Sequence, residues 1–171
     1  MNLMKEKCIL PEITIHGEIK KNITFPMFQK EILKKIEINK PFEYKLNINS
    51  PGGSKHEASL IILKMANMGL FPKNIHGVNM VGSAAVYIYA NSLYRTSNFD
   101  TKFHIHRSRD EITGVIAPEI TPDEIKCFNI LSHWTKIRYE EIIEIANNRN
   151  GEGTILSARD AKIIGLVHEI I

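Results

Sequence analysis

Apolar and polar positions switch repeatedly between a strand-like and a helix-like period along the chain. The stretch Glu12–His16 alternates with period two and predicts a first strand, whereas the apolar positions after Thr24 recur at helical spacing and predict a helix to about Ile38. The same patterns predict further strands over 42–48, 75–80, 93–96, 102–106 and 166–171, and helices over 58–68, 83–90 and 157–165. This alternation is typical of an α/β protein.

The strongest helix start lies at Thr121. A hydroxyl residue there is followed by Pro122 and, three residues after the cap, by Glu124, which together predict a capping box with proline in the first turn. We expect one long helix over about 122–148.

Composition narrows the class of protein. The chain has 171 residues and a mass of 19.5 kDa, which suits one domain, and its 43% hydrophobic and 24% charged residues are ordinary for a globular protein. Its net charge is only +3 and its basic residues are scattered, so no nucleic-acid partner is expected. The longest apolar run, 84–90, has 7 residues, which predicts no membrane span. The isolated cysteines Cys8 and Cys127 and an N-terminus without an apolar core predict a cytoplasmic protein with two free thiols.

Candidate chemistry lies at the ends of predicted strands. Gly52 and Gly53 could bring backbone amides close to a ligand, and Ser83 opens a helix whose first turn could stabilise an oxyanion. His106 ends a later strand and is a candidate base for Ser83. The alternatives are that Ser83 is only an N-cap, and that the pair of His104 and His106 binds a metal or borders the core.

Several motifs together resemble one known family. They are Leu-Asn-Ile-Asn-Ser-Pro-Gly-Gly-Ser at 46–54, Gly-Ser-Ala-Ala at 82–85, Arg95, Phe-His-Ile-His at 103–106, Leu-Ser-Ala at 156–158 and Gly-Leu-Val at 165–167. This set resembles the proteolytic subunit of the Clp protease, within the ClpP/crotonase superfamily. The resemblance implies a single domain over 1–171, an α/β fold of repeated β-β-α units, and a protruding handle-like helix over about 122–148.

The resemblance also implies an activity. It makes the chain a serine endopeptidase that cuts peptides or unfolded proteins, with Ser83 as nucleophile, His106 as general base, and the amides of Gly53 and Ala84 as the oxyanion hole. It implies no cofactor and no metal. It further implies a homo-oligomer in the form of a ring.

Two positions depart from the family pattern. Gly153 stands where the third member of the catalytic triad, an aspartate, is expected, so Glu152 is a substitute candidate, and a backbone carbonyl or a water molecule is another. Asn79 stands where the family usually has glycine, and asparagine tolerates unusual φ angles better than most residues.

Other departures bear on partners and on alternative functions. About eight residues precede the first strand, and the charged loop 107–121 replaces a glycine-containing stretch, so docking to an AAA+ unfoldase is not favoured. The missing aspartate leaves open a catalytically weak or inactive structural or regulatory subunit. A third alternative is an acyl-CoA enzyme of the crotonase type, because two oxyanion-hole amides can also stabilise an enolate.

Overall fold

The computed structural model describes residues 10–35, 43–110 and 112–171. In chain order the elements are β1 (Glu12–His16), α1 (Phe25–Lys35), β2 (Lys45–Ser50), α2 (Lys55–Asn67), β3 (Asn74–Gly82), α3 (Ala84–Ala90), β4 (Arg95–Ser97), β5 (Lys102–Ile105), α4 (Pro122–Trp134), α5 (Tyr139–Asn147), β6 (Thr154–Ser157), α6 (Ala158–Ile163) and β7 (Glu169–Ile170). Most of the predicted elements are present, with ends that differ by a few residues. The predicted end of α1, the predicted start of β2 and Cys8 lie outside the described residues.

The sheet is mostly parallel, in the order β1-β2-β3-β4-β7. The first half of β3 pairs with β4, whereas its second half, from Met80 to Gly82, pairs in parallel with β5. A register shift against β2 accompanies this change of partner, and it coincides with Asn79 at φ 52°. The branch sends β5 away from the main sheet and places the end of β3 beside His104. The fold is a mixed α/β fold, as the sequence predicts.

Helix α3 is the centre of the core. All of its residues are buried, because it packs against both α2 and the sheet. Tyr89 contacts Phe103 of β5 with ring centroids 5.1 Å apart, and its hydroxyl donates to the carbonyl oxygen of Thr96. An apolar helix this deep fixes the position of its own first turn, where Ser83 lies.

The buried side chain of Arg95 connects several segments of the chain by hydrogen bonds. Only 1% of the side chain is exposed, and its guanidinium donates to backbone carbonyls from three separate parts of the chain. The accepting carbonyls belong to Ala90, Ser92, Trp134, Gly165 and Leu166. These bonds join the end of α3, the end of α4 and the segment before β7.

The prediction of one continuous helix over 122–148 is wrong. Helix α4 ends at Trp134, and α5 begins at Tyr139. Thr135 is extended, with φ −116° and ψ −178°, and the amide of Lys136 donates over 2.8 Å to the carbonyl oxygen of Ile164 instead of continuing the helix. This contact is distant in sequence, so helical periodicity alone could not predict the break. The capping box predicted at Thr121 is confirmed.

Strand β6 has no counterpart in the sequence prediction, which places only the start of the helix over 157–165 there. It pairs antiparallel with β5, with Leu156 opposite Phe103 and Thr154 opposite Ile105. Four residues are too few to show a clear period, and the partner strand supplies the stabilising bonds. None of the helices in the described ranges is long and apolar enough to span a bilayer.

Candidate active site

Ser83 lies in a tight connection between β3 and α3. Its backbone has φ 51° and ψ −125°, and its amide donates over 2.8 Å to the carbonyl oxygen of His104. Although Ser83 occupies the N-cap position of α3, its side chain makes no capping hydrogen bond. The hydroxyl is therefore not used to satisfy the helix, and the strained backbone is of the kind often found at functional sites.

The glycine pair packs directly against this connection. A Cβ added to Gly52 would lie 2.5 Å from both the Gly82 carbonyl oxygen and the Ser83 Cβ, and 3.0 Å from the Ala84 amide nitrogen. Only a residue without a side chain allows this approach, and φ of 102° at Gly52 has the same requirement. Sequence analysis predicts close approach of the glycine pair to a ligand, and the contact of Gly52 with the Ser83 connection is an additional finding of the structure.

The amides assigned to the oxyanion hole stand on either side of this contact. The Gly52 carbonyl accepts from the Ile19 amide and the Ser54 amide donates to the Ile19 carbonyl, which fixes Gly53 between them. Ala84 is the first residue of α3, so its N–H has no partner within the helix. Neither N–H has a hydrogen-bond partner in the ranges that the structure describes. Both could therefore donate to a ligand.

His106 directly follows β5 and is half-buried. Its Nδ1 lies 2.5 Å from the carbonyl oxygen of Arg107, and its ring lies against that of His104 with centroids 4.6 Å apart. A carbonyl can only accept, so Nδ1 carries the proton and Nε2 keeps its lone pair in the neutral ring. Burial lowers the pKa of His106, the carbonyl partly offsets this, and the positive charges of Lys55 and Arg109 add to the lowering. The imidazole is thus held neutral, as a base must be.

The serine and the histidine directly follow the paired strands β3 and β5, but they are not hydrogen-bonded to each other in the described part of the chain. Gly82 pairs with His104. Ser83 is one residue beyond this pair on its chain segment, and His106 is two residues beyond it on the other. Catalytic contacts are often loose without substrate, so this separation is compatible with a pair that closes on a bound peptide.

Gly153 leaves no room for the expected aspartate. A Cβ built there would lie 2.0 Å from the Ile105 carbonyl oxygen and 2.5 Å from the His106 Cβ, at a φ of 78°. Restoring the carboxylate therefore takes more than a single substitution, because backbone atoms of Ile105 and His106 occupy the space that a side chain at 153 would need.

Glu152, the sequence candidate for the missing role, is directed elsewhere. Its carboxylate is exposed and bonded to the Arg109 guanidinium, while its carbonyl oxygen lies 2.8 Å from Nε2 of His104. The partner of Nδ1 in His106 is instead the Arg107 carbonyl. This corresponds to the alternative in which a backbone carbonyl orients the histidine.

Arg107 is a site residue that sequence reasoning missed. Its side chain is buried and donates to the Glu124 carboxylate, to the Asn147 side chain, and to the carbonyls of Ala117 and Glu119 in the loop that follows it. Although burial raises it, the pKa of Glu124 falls to about 2, because Arg107 and the amides of Ser108 and Thr121 bond its charged form. The sequence indicates Glu124 as the acid of a capping box, but it does not indicate that Glu124 also bonds to Arg107. This buried ion pair fixes the backbone that holds His106.

No group of three or more His, Cys, Asp or Glu side chains that could hold a metal ion occurs within 10–35, 43–110 and 112–171. His104, the other half of the candidate metal pair, instead bonds to the Glu152 carbonyl. Cys127 is a free, buried thiol.

Comparison with known proteins places this arrangement in a family. A family model of the Clp protease matches residues 2–171. A point mutant of ClpP1 from Listeria monocytogenes is similar over 94% of this chain and 90% of that one, with 27% identity and a TM-score of 0.76. The ClpP protease catalytic domain from Plasmodium falciparum is similar over 94% of this chain and 84% of that one, with 25% identity and a TM-score of 0.74. No curated protein matches the chain in sequence.

The structure thus has the fold of a ClpP-type peptidase. The chain belongs to the Clp protease family.

Proposed function

We propose that the chain is a serine endopeptidase that hydrolyses peptide bonds in peptides or unfolded proteins. Ser83 is the nucleophile and His106 the general base. The observation that carries the proposal is the contact of Nδ1 of His106 with the Arg107 carbonyl, because it leaves Nε2 free to accept a proton without a triad carboxylate. A ClpP-type fold and the Ser83 hydroxyl, which makes no capping hydrogen bond, support it.

In this mechanism the imidazole takes the hydroxyl proton as Ser83 attacks the scissile carbonyl. The Gly53 and Ala84 amides then donate to the tetrahedral oxygen, and the imidazolium returns its proton to the leaving amine. A water molecule then attacks the acyl-enzyme ester with His106 again as the base, and the acyl product leaves as Ser83 regains its proton. A carbonyl orients the imidazole but adds no full negative charge, so we expect slower turnover than a carboxylate triad gives.

The test is the Ser83→Ala variant. We expect it to lose hydrolysis of an unfolded model protein and labelling by a fluorophosphonate probe. The matched control is Ser132→Ala, whose hydroxyl bonds to the Ile137 carbonyl and lies outside the proposed machinery. Equal hydrolysis and equal labelling in wild type and Ser83→Ala would contradict the proposal.

A second candidate function is a structural or regulatory subunit without turnover. The close packing of Gly153 against His106 favours it, because the family's third catalytic position is closed to any side chain here. In that case the purified wild-type protein would show no cleavage that depends on Ser83.

Binding of a coenzyme A thioester, measured by calorimetry, would instead favour the alternative of an acyl-CoA enzyme.

We also propose that the chain assembles into rings of identical subunits. Large apolar side chains stand exposed on the isolated chain, among them Leu93 at 82%, Ile163 at 75% and Phe99 at 64%. Light scattering should give a mass several times the 19.5 kDa of one chain, and a monomer at micromolar concentration would contradict this. The expectations that no AAA+ unfoldase docks on the chain and that the protein is cytoplasmic stay predictions.

A further inference from the structure

Lys55 is a buried cation that the proposed mechanism does not use. It is the first residue of α2, two positions after Gly53, and its Nζ is shielded from solvent. That nitrogen has no hydrogen-bond partner among the residues that the structure describes. A buried ammonium without a partner is costly, so such groups are normally paired. Burial lowers the pKa of Lys55 accordingly.

The acids around Lys55 are already bonded to other groups. The Glu124 carboxylate accepts from Arg107, the Ser108 amide and Thr121, and so its charge is matched by the Arg107 guanidinium. Asp123 is exposed and bonded to Lys126. Burial raises the pKa of the Cys127 thiol, which stays neutral. The charge of Lys55 is therefore the one left unmatched in this cluster.

Lys55 also lies next to the reacting centre. Two residues of chain span at most about 7 Å, so its backbone is close to the Gly53 amide that would hold the scissile carbonyl. Its positive charge acts on His106, where it lowers the pKa. The residue as a whole is half-buried although Nζ itself is shielded, so contact with a group bound against Gly53 requires the four-carbon stem to swing Nζ outward.

We propose that Lys55 is the specificity-determining residue of the site and binds the carboxylate of an aspartate or glutamate on the amino side of the scissile bond. This inference rests on the proposed peptidase function. The carbonyl of that substrate residue would lie on Gly53, and its side chain would reach the Lys55 ammonium. A carboxylate supplies the missing charge, whereas the amide of glutamine or asparagine leaves the ammonium only partly satisfied.

The first test compares two peptides that differ only by glutamate or glutamine before the scissile bond. We expect wild type to cleave the glutamate peptide with a kcat/KM about ten- to a hundredfold higher. Lys55→Met keeps the stem but removes the charge, and should cleave both peptides alike. Lys64→Met on the same helix changes net charge equally, and should keep the preference.

A second measurement does not need turnover. Binding of the same peptides to Ser83→Ala is measured by calorimetry, with and without Lys55→Met in the same chain. Tighter binding of the glutamate peptide that disappears with Lys55→Met supports the inference even if wild type hydrolyses nothing, which would count against the proposed function alone. Equal binding of both peptides to Ser83→Ala overturns the inference. So does an equal loss of activity on both peptides in a folded Lys55→Met variant, which would point to a catalytic part instead.

Discussion

The serine side and the histidine side of the candidate site are held by different means. On the serine side, backbone packs against backbone, with Gly52 in contact with Gly82 and Ser83. On the histidine side, a carbonyl holds His106, and that carbonyl is anchored through the buried pair of Arg107 and Glu124. The first arrangement depends on the absence of side chains, and the second on two particular side chains. Substitutions should therefore damage the two sides in different ways.

The largest effect is expected from Glu124→Gln, which leaves the Arg107 charge buried and unpaired. We expect a loss of about 3–5 kcal/mol in the free energy of unfolding, measured by urea denaturation at neutral pH. The pKa of Glu124 in the folded chain is about 2, below the ordinary 4.5, so its stabilisation is complete above pH 4.5 and is lost as the pH falls toward 2. The gap between wild type and variant should narrow over that range.

The neighbouring variant Asp123→Asn is the control. Its carboxylate is 78% exposed and paired with Lys126, so its loss should change stability by about 0.5 kcal/mol or less. Equal effects of the two variants would mean that the Arg107–Glu124 pair does not support the histidine side.

Next in size is Gly52→Ala on the serine side. The new methyl group would overlap the Gly82 carbonyl and the Ser83 side chain, and would displace the nucleophile and both oxyanion amides. We expect kcat on an unfolded substrate to fall about 10²–10³-fold. Gly69→Ala is matched, since Gly69 also has a positive φ of 62° but nothing within 4 Å of the added methyl group. A Gly52→Ala enzyme as active as Gly69→Ala would show that the close contact is unnecessary.

Gly153→Asp should lower activity rather than restore a triad. The side chain would overlap the Ile105 carbonyl and the His106 backbone, so the strand end that carries the histidine must shift. A fall in kcat/KM of about tenfold or more, together with a lower melting temperature, is expected. The same change at Gly114, which has a φ of 69° and no atom of the described residues within 4 Å of an added Cβ, should strain only its own loop and leave kcat/KM nearly unchanged. Faster turnover in Gly153→Asp would mean that the loop can rearrange to present a carboxylate.

The smallest effect concerns pH. Neutral His106 is the base, and burial holds its pKa below the ordinary 6.5, so kcat/KM should fall only as the pH drops below 6.5. Because the Lys55 charge contributes to that lowering, Lys55→Met should move this acid limb to higher pH, and Lys64→Met should not. A fall in wild-type kcat/KM that begins above pH 6.5 would contradict the stated environment of His106. So would an acid-side midpoint that Lys55→Met leaves unchanged.

The serine side was predictable from sequence because its chemistry lies in short segments. Gly52 and Gly53 follow a strand, Ser83 opens a helix, and close approach of the two needs only the adjacency of β2 and β3. Asn79 was likewise predicted to accept an unusual φ, and the structure has it at 52°.

The histidine side was not predictable in the same way. Its features depend on contacts between distant positions: the Arg107–Glu124 pair, the pairing of β6 with β5, and the amide of Lys136 that ends α4 by bonding to Ile164. No local period or propensity encodes such contacts. For this reason helical periodicity predicts too long a helix over 122–148, and the sequence offers Glu152 for a role that its bond to Arg109 does not favour.

One measurement tests most directly whether His106, held by a carbonyl, activates Ser83. The rate of fluorophosphonate labelling is compared between wild type and His106→Gln, and mass spectrometry locates the adduct. We expect an adduct on Ser83 in wild type and a labelling rate at least about a thousandfold lower in the variant. Equal rates in the two proteins, or an adduct on another residue, would contradict it.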